Sequence, residues 1–138
     1  MKEDIESRLE SISIMVSKVE ERSPMVTEAY RQRLYNKLCE VLNDKKIDEQ
    51  RILTEAAIFS EKTAVDEETV RLKSHIHQFR ELLESGDAIG RKLDFLIQEF
   101  NRESNTIGSK AQDVEIIKIV VDLKSEIEKI REQIQNIE

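Results

Sequence analysis

The chain contains few of the residues that interrupt helices or that cross-link small folds. Its 138 residues include one proline, three glycines, one cysteine and no tryptophan, and aromatic residues make up 4%. So few turn-forming residues leave little room for the many tight turns of a β-sandwich or barrel, and they predict long helices. The single cysteine, Cys39, excludes an intramolecular disulfide framework and a multi-cysteine zinc site.

Long apolar segments are also missing. No stretch approaches the roughly 18 uninterrupted apolar residues of a membrane-spanning helix. The first residues, Met1-Lys2-Glu3-Asp4-Ile5, lack the apolar region of a secretory signal. Because no disulfide is required, a reducing compartment suits the chain. We therefore expect a cytoplasmic protein without a membrane contact.

Charge is what the sequence has in abundance. Charged residues make up 37% of the chain, and the net charge is −7. This excess of acidic residues opposes a simple phosphate-binding protein. The segment 71–110, with a slight excess of basic residues, is the only part that leans the other way.

Apolar residues at heptad spacing mark both ends of the chain. The first seam, spaced 4, 3, 4, 3, is Ile5, Leu9, Ile12, Val16 and Val19. The last seam, spaced 4, 3, 4, 3, 4, 3, is Ile116, Val120, Leu123, Ile127, Ile130, Ile134 and Ile137. Such spacing predicts helices that bury one side. We predict that the first helix ends near Ser23-Pro24, because proline at the first position of a following helix needs no backbone N–H.

Four further helices are predicted between the first and the last. They run from Pro24 to Leu42, from an N-cap at Asp48 through Phe59, from Asp66 to a stop at Ser85-Gly86, and from Gly90 to Gly108-Ser109. We therefore predict one all-α domain over residues 1–138, an antiparallel bundle of five to six helices with long coiled-coil-like first and last helices. Because the last helix, roughly 37 Å long, exceeds the first, part of its seam is predicted to face another subunit.

The helix after Gly90 carries an unusual polar stripe. Asp94, Gln98, Asn101 and Asn105 are spaced 4, 3, 4 and share one face. Asn is a poor helix former, because its amide competes for nearby backbone groups. The stripe therefore indicates either a ligand contact or a buried polar network between helices.

Acidic and imidazole side chains near this stripe are candidates for chemistry. Glu99 and Glu103 lie one turn apart, and their repulsion is relieved either by the neighbouring Arg102 or by a divalent ion. The spacing alone favours the salt bridge. His75 and His77 lie about 200° apart around a helix, so they cannot hold one ion together. His75 alone is a candidate proton donor or an ordinary structural histidine.

Basic residues of the same region are candidates for phosphate contacts. They are Arg71, Lys73, Arg91, Lys92, Arg102 and Lys110. Arginine offers a bidentate fork and lysine a point charge. On composition alone, solvated helix faces account for them better. The sequence contains no glycine-rich phosphate loop, nucleophile elbow or metalloprotease motif, and aromatic platforms for base stacking are scarce.

Several segments resemble the C-terminal half of the bacterial YicC/YloC family. They are 48–56, 70–75, 90–99, 101–103, 105–106, 109–110 and 131–138. The resemblance covers nearly the whole chain, and the strand-containing N-terminal half of the family is absent from it. The resemblance implies a metal-assisted endoribonuclease that cuts structured or small RNAs, is associated with stress physiology and forms a ring-like hexamer that closes on its RNA.

With that resemblance, we predict a role for each candidate residue. The predicted phosphate contacts are Arg71, Lys73, Arg91, Lys92, Arg102 and Lys110. Asp94, Glu99 and Glu103 position a divalent ion, Mn²⁺ or Mg²⁺, or act as the base, with Glu99 and Glu103 as the metal ligands. His75 is a secondary acid–base candidate, and Asn101 and Asn105 orient sugar hydroxyls or the carboxylates.

Two alternatives stay open. In the first, the RNA's own 2′-hydroxyl attacks the phosphate, which requires only an acid and a base. In the second, the chain is a non-catalytic helical assembly module of a stress-response protein, a homo-oligomer in which the polar stripe locks the subunit contacts.

Overall fold

The computed structural model describes residues 2–42, 48–86 and 90–137. The helices are α1 Lys2–Leu42, α2 Glu49–Thr63, α3 Asp66–Glu84, α4 Gly90–Lys110 and α5 Val114–Ile137. Since no residue of these three ranges lies in a strand, the all-α prediction is confirmed. The polar break predicted at 43–46 falls outside the described residues.

Four of the helices close into a ring around one core. α1 contacts α3 and α5, and α4 contacts the same two helices. The order of the ion pairs shows that α1 and α5 are antiparallel, because Arg8 lies 3.1 Å from Glu126 whereas Arg22 lies 2.9 Å from Asp113. The ring is therefore an antiparallel four-helix bundle.

α2 lies outside this ring, beside the second half of α1. Tyr30 of α1 stacks on Phe59 of α2 with ring centroids 4.0 Å apart. The 41 residues of α1 extend over about 60 Å, so that α2 and α3 follow one another along it. The predicted bundle of five to six helices is thereby corrected to four helices in the ring, with α2 packed on the extension of α1.

α1 continues through Ser23-Pro24, so the helix end predicted there is wrong. Proline in a helix interior costs about 3 kcal/mol, because it removes a hydrogen bond and clashes with the preceding turn. Here the helix is held on both sides of the exposed Pro24. Val19 and Val26 are buried, and the Thr27 hydroxyl donates to the Ser23 carbonyl at 3.4 Å. Tertiary packing offsets the poor local propensity.

The two heptad seams supply much of the core, as predicted. The five seam residues of α1, and those of α5 from Ile116 to Ile134, are at most 6% exposed. The side chain of Ile137 is outside the description. The seams belong to neighbouring helices, since α1 contacts α5. Coiled-coil packing between them stays a prediction.

The predicted helix ends at Asp48 and Ser85-Gly86 are confirmed. Asp48 Oδ1 accepts a hydrogen bond from the Arg51 amide at 3.1 Å. Gly86, after the C-cap residue of α3, has a φ of 75° that favours glycine. Gly108, predicted to end or kink its helix, lies within α4. A β-carbon there would lie 3.3 Å from Val120 Cγ1, so glycine permits α4 and α5 to approach closely.

Within the described ranges, no helix combines the length and the hydropathy that a bilayer span requires.

Candidate functional site

The core stripes of α3 and α4 are each interrupted by buried polar residues. On α3, Glu68 is 2% exposed within the line of apolar core residues. On α4, Glu103 and Ser104 are 4% and 0% exposed between the core residues Phe100 and Ile107. Carboxylates are almost never fully buried unless they are paired. Each of these two carboxylates is therefore expected to have a cationic partner.

Cations reach both buried carboxylates across the interface of α3 and α4. Lys110 Nζ of α4 lies 2.8 Å from Glu68 Oε1 of α3. Arg71 Nε of α3 lies 2.8 Å from Glu103 Oε1 of α4. Because residue numbers rise along α3 as they fall along α4, these two helices are antiparallel, and the pairs follow one another along their interface.

A third pair lies one turn further along. His75 Nε2 of α3 lies 3.8 Å from Glu99 Oε2 of α4. We call the three pairs, Glu68–Lys110, Arg71–Glu103 and His75–Glu99, the α3–α4 ladder. Residues four apart on one helix are separated by about 6 Å along its axis, so the Arg71 and His75 pairs are neighbours in the ladder.

Arg71 is held by one nitrogen and retains donors at the others. Its hydrogen bond to Glu103 is the largest of the causes that raise the pKa of Arg71. Its two terminal nitrogens lie 3.6 Å from Glu67 and from Glu68, beyond good hydrogen-bond distance. The Arg71 side chain is 45% exposed, and its guanidinium also lies within 3.6 Å of three carboxylates.

His75 is enclosed but lacks a hydrogen-bond partner. Its side chain is 16% exposed, and neither ring nitrogen forms a hydrogen bond within the described part of the chain. The Phe100 ring stands beside it, with centroids 6.5 Å apart. Both ring nitrogens are buried, so His75 is an unpartnered polar group close to the Glu99 carboxylate.

The predicted site residues divide between opposite sides of α4. Asp94 and Glu103 are nine residues apart, which at about 100° per residue places them on opposite sides of the helix. Glu103 faces α3. Asp94 lies towards α5. The pKa of Arg131 on α5 is raised mainly by its hydrogen bond to Glu128 and, by a smaller amount, by the negative charge of Asp94. Asp94 is therefore outside the α3–α4 ladder.

The polar stripe does not form a buried network. Gln98 and Asn105 are exposed, and Asp94 and Asn101 are half-buried. No hydrogen bond links any two of these four side chains, all of which the structure describes. The interpretation of the stripe as packing between helices is therefore wrong, and its role as a ligand contact stays a prediction.

Two predicted phosphate contacts are engaged elsewhere or lie at the edge of the ladder. Lys73 pairs with Glu20 of α1, on another side of α3. Arg102 is 75% exposed and lies 3.9 Å from Glu99. Arg102 is thus the neighbouring cation that the spacing predicted for Glu99. Glu103 is buried rather than on the surface, and its cation is Arg71.

Comparison with known proteins agrees with the resemblance. Residues 19–138 match the family described as Endoribonuclease YicC-like, C-terminal. The chain belongs to this family. It is 50% identical over 137 residues to the Probable endoribonuclease YicC of Clostridioides difficile (strain 630), which covers 99% of this chain and 47% of the relative. The ladder lies entirely within the residues that match the YicC-like family.

A second YicC relative gives the same picture. The chain is 40% identical over 134 residues to the Probable endoribonuclease YicC of Haemophilus influenzae (strain ATCC 51907 / DSM 11121 / KW20 / Rd), covering 97% of this chain and 46% of the relative. The chain thus spans about half the length of the curated relatives it matches.

The predicted metal ligands of this YicC-like chain do not converge on an ion. In the three described ranges, no group of three histidine, cysteine, aspartate or glutamate side chains could hold a metal. Glu103 is bonded to Arg71, and the side chains that approach Glu99 are His75 and Arg102. These residues alone do not fit a metal centre. Dependence on Mn²⁺ or Mg²⁺ stays a prediction.

Sequence reasoning missed Glu68, the most buried carboxylate of the ladder. Its position in the sequence could have identified it, because Glu68 lies four residues before Leu72 in the line of apolar residues that α3 turns to the core. A charged residue at a core position indicates a buried partner. That partner, Lys110, is 42 residues away in the chain, and periodicity along one helix cannot identify it.

Proposed function

We propose that this domain carries the catalytic residues of an endoribonuclease and that the α3–α4 ladder is its active site. The observation that supports this most directly is His75, whose ring nitrogens lack partners and whose Nε2 lies 3.8 Å from Glu99. Arg71, whose terminal nitrogens form ion pairs at 3.6 Å but no hydrogen bond, lies one turn away. The relatives are named probable endoribonucleases, and these names supply the class of reaction.

In the proposed reaction, the terminal N–H groups of Arg71 bind the non-bridging phosphate oxygens and stabilise the charge on the pentacoordinate phosphorus. Glu99 accepts the proton of the attacking 2′-hydroxyl as the new oxygen–phosphorus bond forms. Protonated His75 donates its proton to the 5′-oxygen as the bond from phosphorus to that oxygen breaks. Glu103 is a positioning residue that holds the Arg71 guanidinium.

Lys110 serves the site by position rather than by contact with phosphate. Its Nζ donates to Glu68 Oε1 at 2.8 Å and to the Ala64 carbonyl at 3.2 Å. Ala64 lies between α2 and α3, so Lys110 fastens the end of α4 to the start of α3. We propose that this contact fixes the register of the ladder.

The remaining predictions, from the sequence and from the resemblance, are proposals of their own. They are the assistance of Mn²⁺ or Mg²⁺, a cytoplasmic location, a role in stress physiology, a homo-hexamer and a single domain over residues 1–138. No step of the reaction described above passes through a metal. Comparing cleavage by the full-length protein after chelation and after return of Mn²⁺ or Mg²⁺ tests the first, and indifference to the chelator contradicts it.

The decisive experiment replaces His75 and Glu99 in the full-length protein. We expect His75→Gln and Glu99→Gln each to reduce cleavage of a hairpin RNA by at least about 10²-fold, because each removes a proton-transfer group. The mass in solution should stay unchanged. His77→Gln is the matched control, since His77 is 74% exposed on another face of α3. Cleavage by the His75→Gln protein at the parent rate would contradict the proposal.

An assembly role is the second candidate function. α5 presents the apolar residues Val114, Ile117 and Val121 to solvent with exposures of 65%, 44% and 62%, and their spacing of 3 and 4 puts them on one side of the helix. We expect Ile117→Glu with Val121→Glu to lower the mass in solution if this row is a subunit contact. An unchanged mass contradicts a contact through this row.

A further inference from the structure

A groove continues the interface of α3 and α4 beyond the His75–Glu99 pair. It encloses about 610 Å³, and its lining includes Gln78, Leu82, Arg91, Lys92, Phe95 and Leu96. Phe95 is 58% exposed, whereas Phe79 and Phe100, on the same two helices, are fully buried. The Phe95 ring therefore does not serve the core, and its face is available to a ligand.

The lining of the groove includes two basic residues, Arg91 and Lys92. Arg91 and Lys92 form no ion pair in the part of the chain that the structure describes, although the other basic residues of α3 and α4 are paired. Glu81 also lines the groove, but its carboxylate is bonded to His77 at 2.8 Å. In a protein of net charge −7, unpaired cations beside an exposed ring favour a polyanion with aromatic groups.

The groove and the ladder follow one another along the interface of α3 and α4. Phe95 is one turn before Glu99 on α4, a separation of about 6 Å along the helix. Leu82 of the groove and His75 lie on the same helix, α3, two turns apart. A strand that enters along the groove therefore arrives at the His75–Glu99 pair.

We propose that Phe95 is a stacking platform for one base of single-stranded RNA, with a neighbouring phosphate on Arg91 and Lys92. The inference rests on the proposed function, since it places that base about one nucleotide from the scissile bond. Unpaired bases can stack on aromatic side chains, whereas bases within a duplex cannot. The groove would thereby direct cleavage to unpaired segments of structured RNA.

The test separates an aromatic face from an apolar one. Phe95→Leu keeps an apolar side chain without a ring, and Phe95→Trp keeps a ring. Binding is measured in the full-length protein with a single-stranded 2′-O-methyl RNA, which lacks the attacking hydroxyl, and with the corresponding duplex. We expect Phe95→Leu to weaken single-strand binding about tenfold and Phe95→Trp to bind within about twofold of the parent. Duplex binding should be equal in all three proteins.

Two further variants sharpen the result. Ile14→Ala, at a site 49% exposed on α1, is the matched control and should bind like the parent. Arg91→Gln with Lys92→Gln should weaken binding and reduce its dependence on salt by about two phosphate contacts. With 2-aminopurine in the oligonucleotide, fluorescence should be quenched by the parent and by Phe95→Trp but not by Phe95→Leu.

Three outcomes overturn the proposal. They are parent-like single-strand binding by Phe95→Leu, an equal loss in Phe95→Leu and Phe95→Trp, and a changed mass in solution for Phe95→Leu with unchanged binding, which would assign the ring to a protein contact. The readout is independent of cleavage. If His75→Gln cleaves normally while Phe95→Leu loses single-strand binding, the proposed active site fails and the stacking platform stands.

Discussion

The interfaces α1–α5 and α3–α4 belong to the same bundle but are built from different residues. Between α1 and α5 the centre is apolar, and pairs such as Arg8–Glu126 lie at its edge. Between α3 and α4, Glu68 and Glu103 lie inside, 2% and 4% exposed. A buried ion pair often stabilises a fold no better than apolar residues of the same size. Stability alone therefore does not account for the carboxylates between α3 and α4, and the proposed active site offers a reason for Glu103.

The largest expected effect tests the apolar side of the comparison. Leu123→Ala, at a fully buried position of the α5 seam, should reduce the free energy of unfolding by about 2–5 kcal/mol, because it leaves a cavity. Urea unfolding followed by circular dichroism measures the change. Ile14→Ala, at an exposed position of α1, should stay within about 0.5 kcal/mol of the parent. A loss below about 1 kcal/mol for Leu123→Ala would contradict close packing of this interface.

The next effect tests the polar side. Glu103→Gln should reduce the kcat for RNA cleavage by about 10²-fold, because Arg71 loses the carboxylate that orients it towards the phosphate. Glu126→Gln is the matched control, since Glu126 pairs with Arg8 across the other interface at 3.1 Å. Cleavage by that control should change less than twofold. Equal rates for the two variants would show that the ladder has only a structural role.

A smaller effect concerns the start of α5. Asp113 accepts two hydrogen bonds from Arg22, at 2.9 and 3.0 Å, and one from the Ile116 amide at 3.2 Å. It is therefore the N-cap residue of α5. We expect Asp113→Ala to reduce the free energy of unfolding at neutral pH by about 1 kcal/mol through loss of the cap. Asp113→Asn should lose less, because asparagine also caps helices.

The pH dependence of this contact has a definite sign. The hydrogen bond from Arg22 is the largest cause that lowers the pKa of Asp113 below its ordinary value of 3.8. The stabilisation is therefore complete above that value and is lost as the pH falls through the lower pKa of the folded state. The difference between the parent and Asp113→Asn, measured by urea unfolding at a series of pH values, should close on the acid side. A gap that widens below the ordinary value would contradict this assignment.

The smallest effect is expected at Lys73. It was predicted to contact phosphate, but it pairs with Glu20 of α1. Lys73→Gln should change the cleavage rate less than twofold and the free energy of unfolding by no more than about 0.5 kcal/mol. A large loss of RNA affinity, measured by titration, would place the RNA path between α1 and α3 instead of between α3 and α4.

The core was more predictable than the candidate site. Heptad spacing identified the buried residues of α1 and α5, because neighbouring turns of one helix share a face and the period is visible in a single segment. The same kind of reasoning wrongly ended the first helix at Pro24, because local propensity carries no information about the contacts of Val19 and Val26. Glu99 and His75 were both recognised as candidates, but their proximity depends on the register between two helices.

Residue order alone was enough to specify helices, their apolar faces, most of their ends and the family, because these depend on neighbours within a few turns or on similarity along the chain. The partners of the charged residues depended on how the helices pack. Glu103 could have been a surface neighbour of Glu99, and packing against α3 buried it beside Arg71. Likewise, Phe95 belongs to α4 and Leu82 to α3, so the groove that they line exists only because these two helices pack together.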